Sequence, residues 1–102
     1  MNKPNENQIA AAEQAGMTRA EFLVLCEIRN YDRREAQKDD NYSNCDFADA
    51  ARVTGFNRHG VAALVGSLEK KGLAWVDEDE YGDTIWFTDD GIDAVYNIME
   101  AK

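Results

Sequence analysis

The sequence predicts a mainly α domain with one small β-hairpin, an α+β chain read as a single domain over residues 1–102. Three observations predict it. Between residues 47 and 72, two short amphipathic segments with helical spacing meet at Gly55. After Gly72 the apolar period changes to two, over residues 73–76 and 84–87, and each run carries a tryptophan. From Thr88 the helical period returns and holds to the end of the chain.

In chain order, residues 5–14 form a weakly helical piece whose apolar content is Ile9 and alanines, and residues 1–17 read as a weakly ordered segment closed by Gly16. Thr18-Arg19-Ala20-Glu21 has the form of a capping box. It opens a helix from 19 to 31, with an extension toward Gln37. One stripe of that helix is Phe22, Leu25, Cys26 and Arg29, and an adjacent one is Val24, Ile28 and Tyr31. So wide an apolar face implies packing on two sides, either as the central helix of the domain or as a helix shared with a second copy. The first reading is preferred. Residues 32–44 are polar throughout and break at Asp39-Asp40-Asn41. Arg33 and Arg34 there read as a solvated helix end, with phosphate contact as the alternative. Ser43 resembles an N-cap with Asp46 three residues on.

The next helix spans 44–53, with Phe47, Ala50 and Ala51 inward. Thr54-Gly55 turns the chain, and a glycine suits the left-handed residue at a helix C-terminus. Phe56 is expected to pack inward and Asn57 to cap the second helix, 57–71. Val61, Leu64, Val65 and Leu68 form its buried stripe. Arg58, His59, Ala62, Ala63, Gly66, Ser67, Lys70 and Lys71 form the opposite face. Residues 44–72 thus have the layout of a helix-turn-helix, whose second helix is most often offered to the DNA major groove.

Residues 73–88 read as a hairpin, with 77–83 as its loop and Gly82 in a left-handed position. Ile85 and Phe87 face the core, leaving Trp86 on the other side. Trp75 and Trp86 read as core and cross-strand packing. Thr88 caps the last helix, 89–101, which begins with Asp89 and Asp90 at the favoured end of the helix dipole. Its apolar stripe is Ile92, Val95, Tyr96 and Met99.

The net charge is -9, and its distribution matters more than its size. Residues 1–45 carry net -2, residues 46–76 carry +1, and residues 77–102 carry -8. The helix-turn-helix is the one segment that is not net negative, so long-range steering repels DNA while local contacts stay open. No apolar run approaches the roughly 18 residues of a membrane span. The N-terminus is polar, and the expected location is cytoplasmic. Cys26 and Cys45 lack CxxC spacing and read as reduced thiols. His59 has no partner at metal-ligand spacing. Asp77, Asp79 and Gly82 match part of a calcium loop, but Tyr81 and Thr88 stand where oxygen ligands ending in a bidentate Glu belong. No nucleophile–base arrangement or phosphate-cradling glycine loop occurs. The expectation is a non-enzyme with no cofactor and no metal.

The order helix, helix-turn-helix, hairpin, helix is that of a winged helix-turn-helix. Leu68-Glu-Lys-Lys-Gly-Leu73 and Phe87-Thr-Asp-Asp-Gly91 resemble the segments that bracket the wing in the MarR-type transcriptional regulators. Ala51, Gly55, Val61 and Leu64 fall at the offsets of that motif's small residue, turn glycine and core aliphatics. The resemblance covers residues 19–100 and implies a DNA-binding regulator acting as a homodimer. It implies that Asn57, Arg58, His59, Ala62 and Ala63 meet base edges, and that Lys70 and Lys71 lie near phosphates or the wing; on the hypothesis of a regulator bound to double-stranded DNA, Arg52 joins Lys70 and Lys71 in holding phosphates. The sequence departs from the family in two places. The wing reads Asp-Glu-Asp-Glu-Tyr-Gly-Asp with no basic residue, and only one short C-terminal helix stands where the family has long dimerising ones. The alternative reading is an acidic protein-interaction module that docks on a basic protein through Asp77, Glu78, Asp79, Glu80 and Asp83.

Overall fold

The computed structural model describes residues 4–35, 45–79 and 82–99. The element order is α1 (Glu6–Gln14), α2 (Arg19–Glu35), β1 (Cys45–Asp46), α3 (Phe47–Thr54), α4 (Arg58–Lys70), β2 (Ala74–Asp79), β3 (Gly82–Phe87) and α5 (Asp89–Met99). This is a winged helix-turn-helix: the described residues form five helices and a three-stranded antiparallel sheet in the order β1-β3-β2.

Helix α2 is the centre of the domain. It packs against α1, α3, α4 and α5 and against β1 and β3, which is why its apolar face is so wide. Phe22, Val24, Leu25, Cys26 and Ile28 are all buried. Arg29 is buried with them, its guanidinium 4.9 Å from the centre of the Tyr96 ring on α5. The N-terminal segment is more built than its composition suggests. Asn5 and Gln8 form a reciprocal capping box on α1, and Ile9 and Ala12 enter the core.

Strand β1 is an addition to the expected hairpin. Cys45 pairs with Ile85 and Asp46 with Thr84, so the chain entering α3 closes the sheet's second edge. Asp46 is also the N-cap of α3, in a box with Asp49; Ser43 lies outside the described residues. The wing differs from expectation in its loop. Asp77 pairs with Thr84, Glu78 with Asp83 and Asp79 with Gly82, so the strands continue through residues read as a loop, and Gly82 sits in β3. Pairing with a neighbouring strand overrides the low strand propensity of Asp and Glu. On the wing, Trp75 and Trp86 are register partners with ring centroids 6.2 Å apart, but Trp75 is 46% exposed. The cross-strand reading therefore holds and the core reading does not extend to Trp75.

The start of α5 explains two sequence features together. Thr88 Oγ1 accepts from the Gly91 N–H at 3.0 Å and donates to the Gly72 carbonyl, while the Thr88 N–H donates to the Leu73 carbonyl. A Cβ on Gly91 would overlap that same Leu73 carbonyl oxygen, so only glycine lets α5 approach this closely. Val95 fills the core from α5. Ile92, expected in the apolar stripe, is 37% exposed instead.

Candidate nucleic-acid interface

The turn before α4 follows from local chemistry. Gly55 caps α3 in the left-handed conformation (φ 75°), and its N–H donates to the Ala51 carbonyl at 2.8 Å. Asn57 caps α4, its Oδ1 accepting from the Gly60 N–H at 2.8 Å. Val61, Leu64, Val65 and Leu68 are buried, as their spacing requires, which fixes the rotation of α4 and leaves its other face outward. Phe56 does not pack inward: it is 41% exposed and lies over Gly60, where an added Cβ would press on its ring.

The residues proposed from sequence as the binding face separate into two groups. Arg58, His59, Ala62, Ala63 and Lys70 are exposed, and among the described residues Arg58, His59 and Lys70 form no ion pair or hydrogen bond by their side chains. Ala62, Ala63 and Gly66 continue this face without side-chain bulk, so a flat or convex partner can approach the helix backbone closely. Asn57 is exposed, but its Oδ1 is engaged in the cap.

Arg52 and Lys71 belong to the second group. Arg52 Nη2 donates to Glu27 Oε2 at 3.0 Å and to Asp49 Oδ1 at 3.3 Å, joining α3 to α2. The hydrogen bond to Asp49 and the charge of Glu27 raise its pKa above the ordinary arginine value. Lys71 Nζ donates to Glu21 Oε1 at 2.7 Å and to the Gly16 carbonyl at 2.8 Å.

Glu21 is the hub of that cluster. It is 1% exposed, and it closes the predicted capping box with Thr18 while accepting from Ser67 Oγ at 2.7 Å. Burial alone would raise its pKa. The bonds from Lys71, the Thr18 backbone and Ser67 together outweigh burial and hold the carboxyl below its ordinary value. The N-terminus of α2 is thus bolted to the C-terminal end of α4. Composition could not show this pair, because Glu21 and Lys71 are 50 positions apart.

Of the wing carboxylates, Asp77 and Glu78 are exposed; Glu80 lies outside the described residues. Cys26 and Cys45 are buried free thiols, and burial pushes the Cys26 pKa up to about 12. Among the described residues, no helix is long and apolar enough to cross a membrane, and no group of three His, Cys, Asp or Glu side chains is placed to hold a metal ion.

Solved structures with this architecture exist, although neither any protein-family model nor any curated protein matches the sequence. The crystal structure of MepR, a transcription regulator of the Staphylococcus aureus multidrug efflux pump MepA, superposes with a TM-score of 0.72 at 21% identity. The match covers 93% of this chain and 64% of MepR. A MarR-family transcriptional regulator from Rhodococcus sp. RHA1 matches with a TM-score of 0.66 at 18% identity, over 89% of this chain and 59% of that one. The S. aureus MepR–DNA complex matches with a TM-score of 0.64 at 22% identity, over 93% of this chain and 63% of its own. These likenesses establish the winged-helix fold of the MarR type. The chain spans less than two thirds of the length of these structures.

Proposed function

We propose that this protein is a DNA-binding winged-helix transcription regulator of the cytoplasm, with α4 entering the major groove. The observation that carries the reading is the outward face of α4. Arg58 and His59 stand exposed in its first turn, without intramolecular partners among the described residues, ahead of a stretch of small side chains. In helix-turn-helix proteins this is the part of the second helix that meets base edges. Arg58 would donate to a guanine edge and His59 to a base or phosphate, while Lys70 at the far end of α4 would meet a phosphate. The fold shared with MepR, which has been solved in complex with DNA, supports the same assignment.

Two of the cations expected near phosphates take a different role in this reading. For Lys71 to reach a phosphate, it would leave the buried Glu21 carboxylate without its charged partner, which is costly. For Arg52, release would strip the buried Glu27 carboxylate. Both are therefore assigned to holding α4 and α3 in place, and direct backbone contact falls to Lys70. The acidic wing contributes no cation, so the reading gives it no minor-groove role, and it assigns no catalysis. Two copies on a two-fold symmetric site would supply the second set of contacts.

The test is selection of duplexes from a random pool, followed by titration of the recovered sequence at two salt concentrations. A sequence-selective complex that weakens with added salt supports the proposal. Failure to bind any duplex at low salt removes it.

A further inference from the structure

Phe56, Trp75 and Ile92 are the large apolar side chains that stand exposed among the described residues. Phe56 is the one beside the outward first turn of α4, directly before the Asn57 cap. An apolar residue at that place often folds in to staple the fourth residue of the helix, here Val61. Phe56 is 41% exposed instead, and it joins neither the buried core nor the partly buried side chains packed against it. Its place is nevertheless fixed. The Phe56 N–H donates to Thr54 Oγ1 at 3.2 Å, and that hydroxyl donates to the Ala50 carbonyl at 2.7 Å. The side chain lies over Gly60, where an added Cβ would stand 3.1 Å from Phe56 Cβ and 3.3 Å from Cγ and Cδ2 of the ring. Phe56, Gly60 and Ala63 border an open hollow of about 620 Å³, so the flank of the ring is accessible.

Held there, the ring offers apolar surface to whatever the start of α4 meets. Base edges in the major groove present hydrogen-bond donors and acceptors, with one apolar group among them, the C5 methyl of thymine. A phenyl ring suits that methyl and gains nothing comparable from a phosphate. Arg58, two residues on, is exposed and suited to a guanine edge. We propose that Phe56 is a specificity-determining residue whose ring packs on a thymine methyl in the same half-site as the guanine met by Arg58, a role that rests on the DNA-binding function proposed above. Covering one methyl group in this way favours thymine over the same base without it by about fourfold. Phe56 thus sets sequence preference, while Lys70 adds affinity that no base identity alters.

The experiment takes the duplex selected by the full chain and replaces its thymines one at a time by deoxyuridine, which pairs identically and lacks only the C5 methyl. Affinities of the parent chain and of Phe56→Ala are compared on each duplex. One thymine in each half-site should cost the parent about fourfold when its methyl is removed, and the same replacement should cost Phe56→Ala nothing measurable. Phe56→Leu, which keeps apolar surface, should retain part of the methyl preference, and Phe56→Gln should lose it; the Gln variant decides the question should Phe56→Ala not fold. The proposal is overturned if no thymine replacement weakens the parent, or if the loss persists undiminished in Phe56→Ala. Either result, on a duplex whose binding Arg58→Ala still weakens, leaves the DNA-binding function standing. Failure of the parent to bind any duplex removes both.

Discussion

The two ends of α4 carry the same kind of side chain and use it differently. At the N-terminal end, Arg58 is exposed and forms no ion pair or side-chain hydrogen bond among the described residues. At the C-terminal end, Lys71 is anchored to a buried carboxylate and a backbone carbonyl. The chain then continues through Gly72 and Leu73, whose carbonyls receive the Thr88 cap of α5. One end is tied to α2 and to the start of α5 so that the other can be presented in a fixed orientation. A count of basic residues along the motif treats them as equal; the structure separates the positioning cations from the available ones.

The largest expected effect breaks the anchored end. Gly91→Ala sets a methyl group against the Leu73 carbonyl, and overpacking of this kind costs about 3 kcal/mol or more, read as a lower urea midpoint. Lys71→Met comes next. It removes the charged donor from the buried Glu21 carboxylate and should cost about 2 kcal/mol by the same measurement. Acid should act on the same cluster. The folded pKa of Glu21 lies below its unfolded value, so its contribution is present above the ordinary carboxylate range and is lost as pH falls through the folded pKa. Glu21→Gln should therefore flatten the acid limb of the stability profile relative to the parent chain.

The helix caps are legible in the sequence because their chemistry is local. Thr18 with Glu21, Asn57 before Gly60 and Thr88 before Gly91 each act within three residues of themselves, and each lies where its side chain requires. The rotation of α4 is equally legible, since four aliphatics at helical spacing leave one possible inward face. What the sequence hides is non-local or too short for a period. β1 has two residues, fewer than any alternation needs. The acidic strand ends of the wing take their conformation from cross-strand pairing rather than from propensity. The buried carboxylates that hold Arg52 and Lys71, Glu27 and Glu21, lie on another helix 25 and 50 positions away, so in the sequence these charges look available when they are not. Phe56 departs from expectation for a related reason: it sits at the turn, where helical spacing no longer says which way a side chain faces.

A smaller effect sharpens the contrast with the wing. Replacing exposed Asp77 and Glu78 by Asn and Gln removes two negative charges from a segment given no DNA contact. Any DNA affinity should rise only a few-fold at low salt and be unchanged at high salt, as expected for long-range repulsion.

The most direct test compares the two ends of α4 on the same selected duplex, by fluorescence anisotropy at fixed salt, with each variant's folded fraction measured alongside. Arg58→Ala should melt within about 0.5 kcal/mol of the parent chain and yet bind at least about tenfold more weakly, with relaxed preference at one base position. Lys71→Met should lose stability, while its folded fraction keeps near-parental affinity. Undiminished binding by folded Arg58→Ala would contradict the account, as would a Lys71→Met protein that stays fully stable and loses DNA.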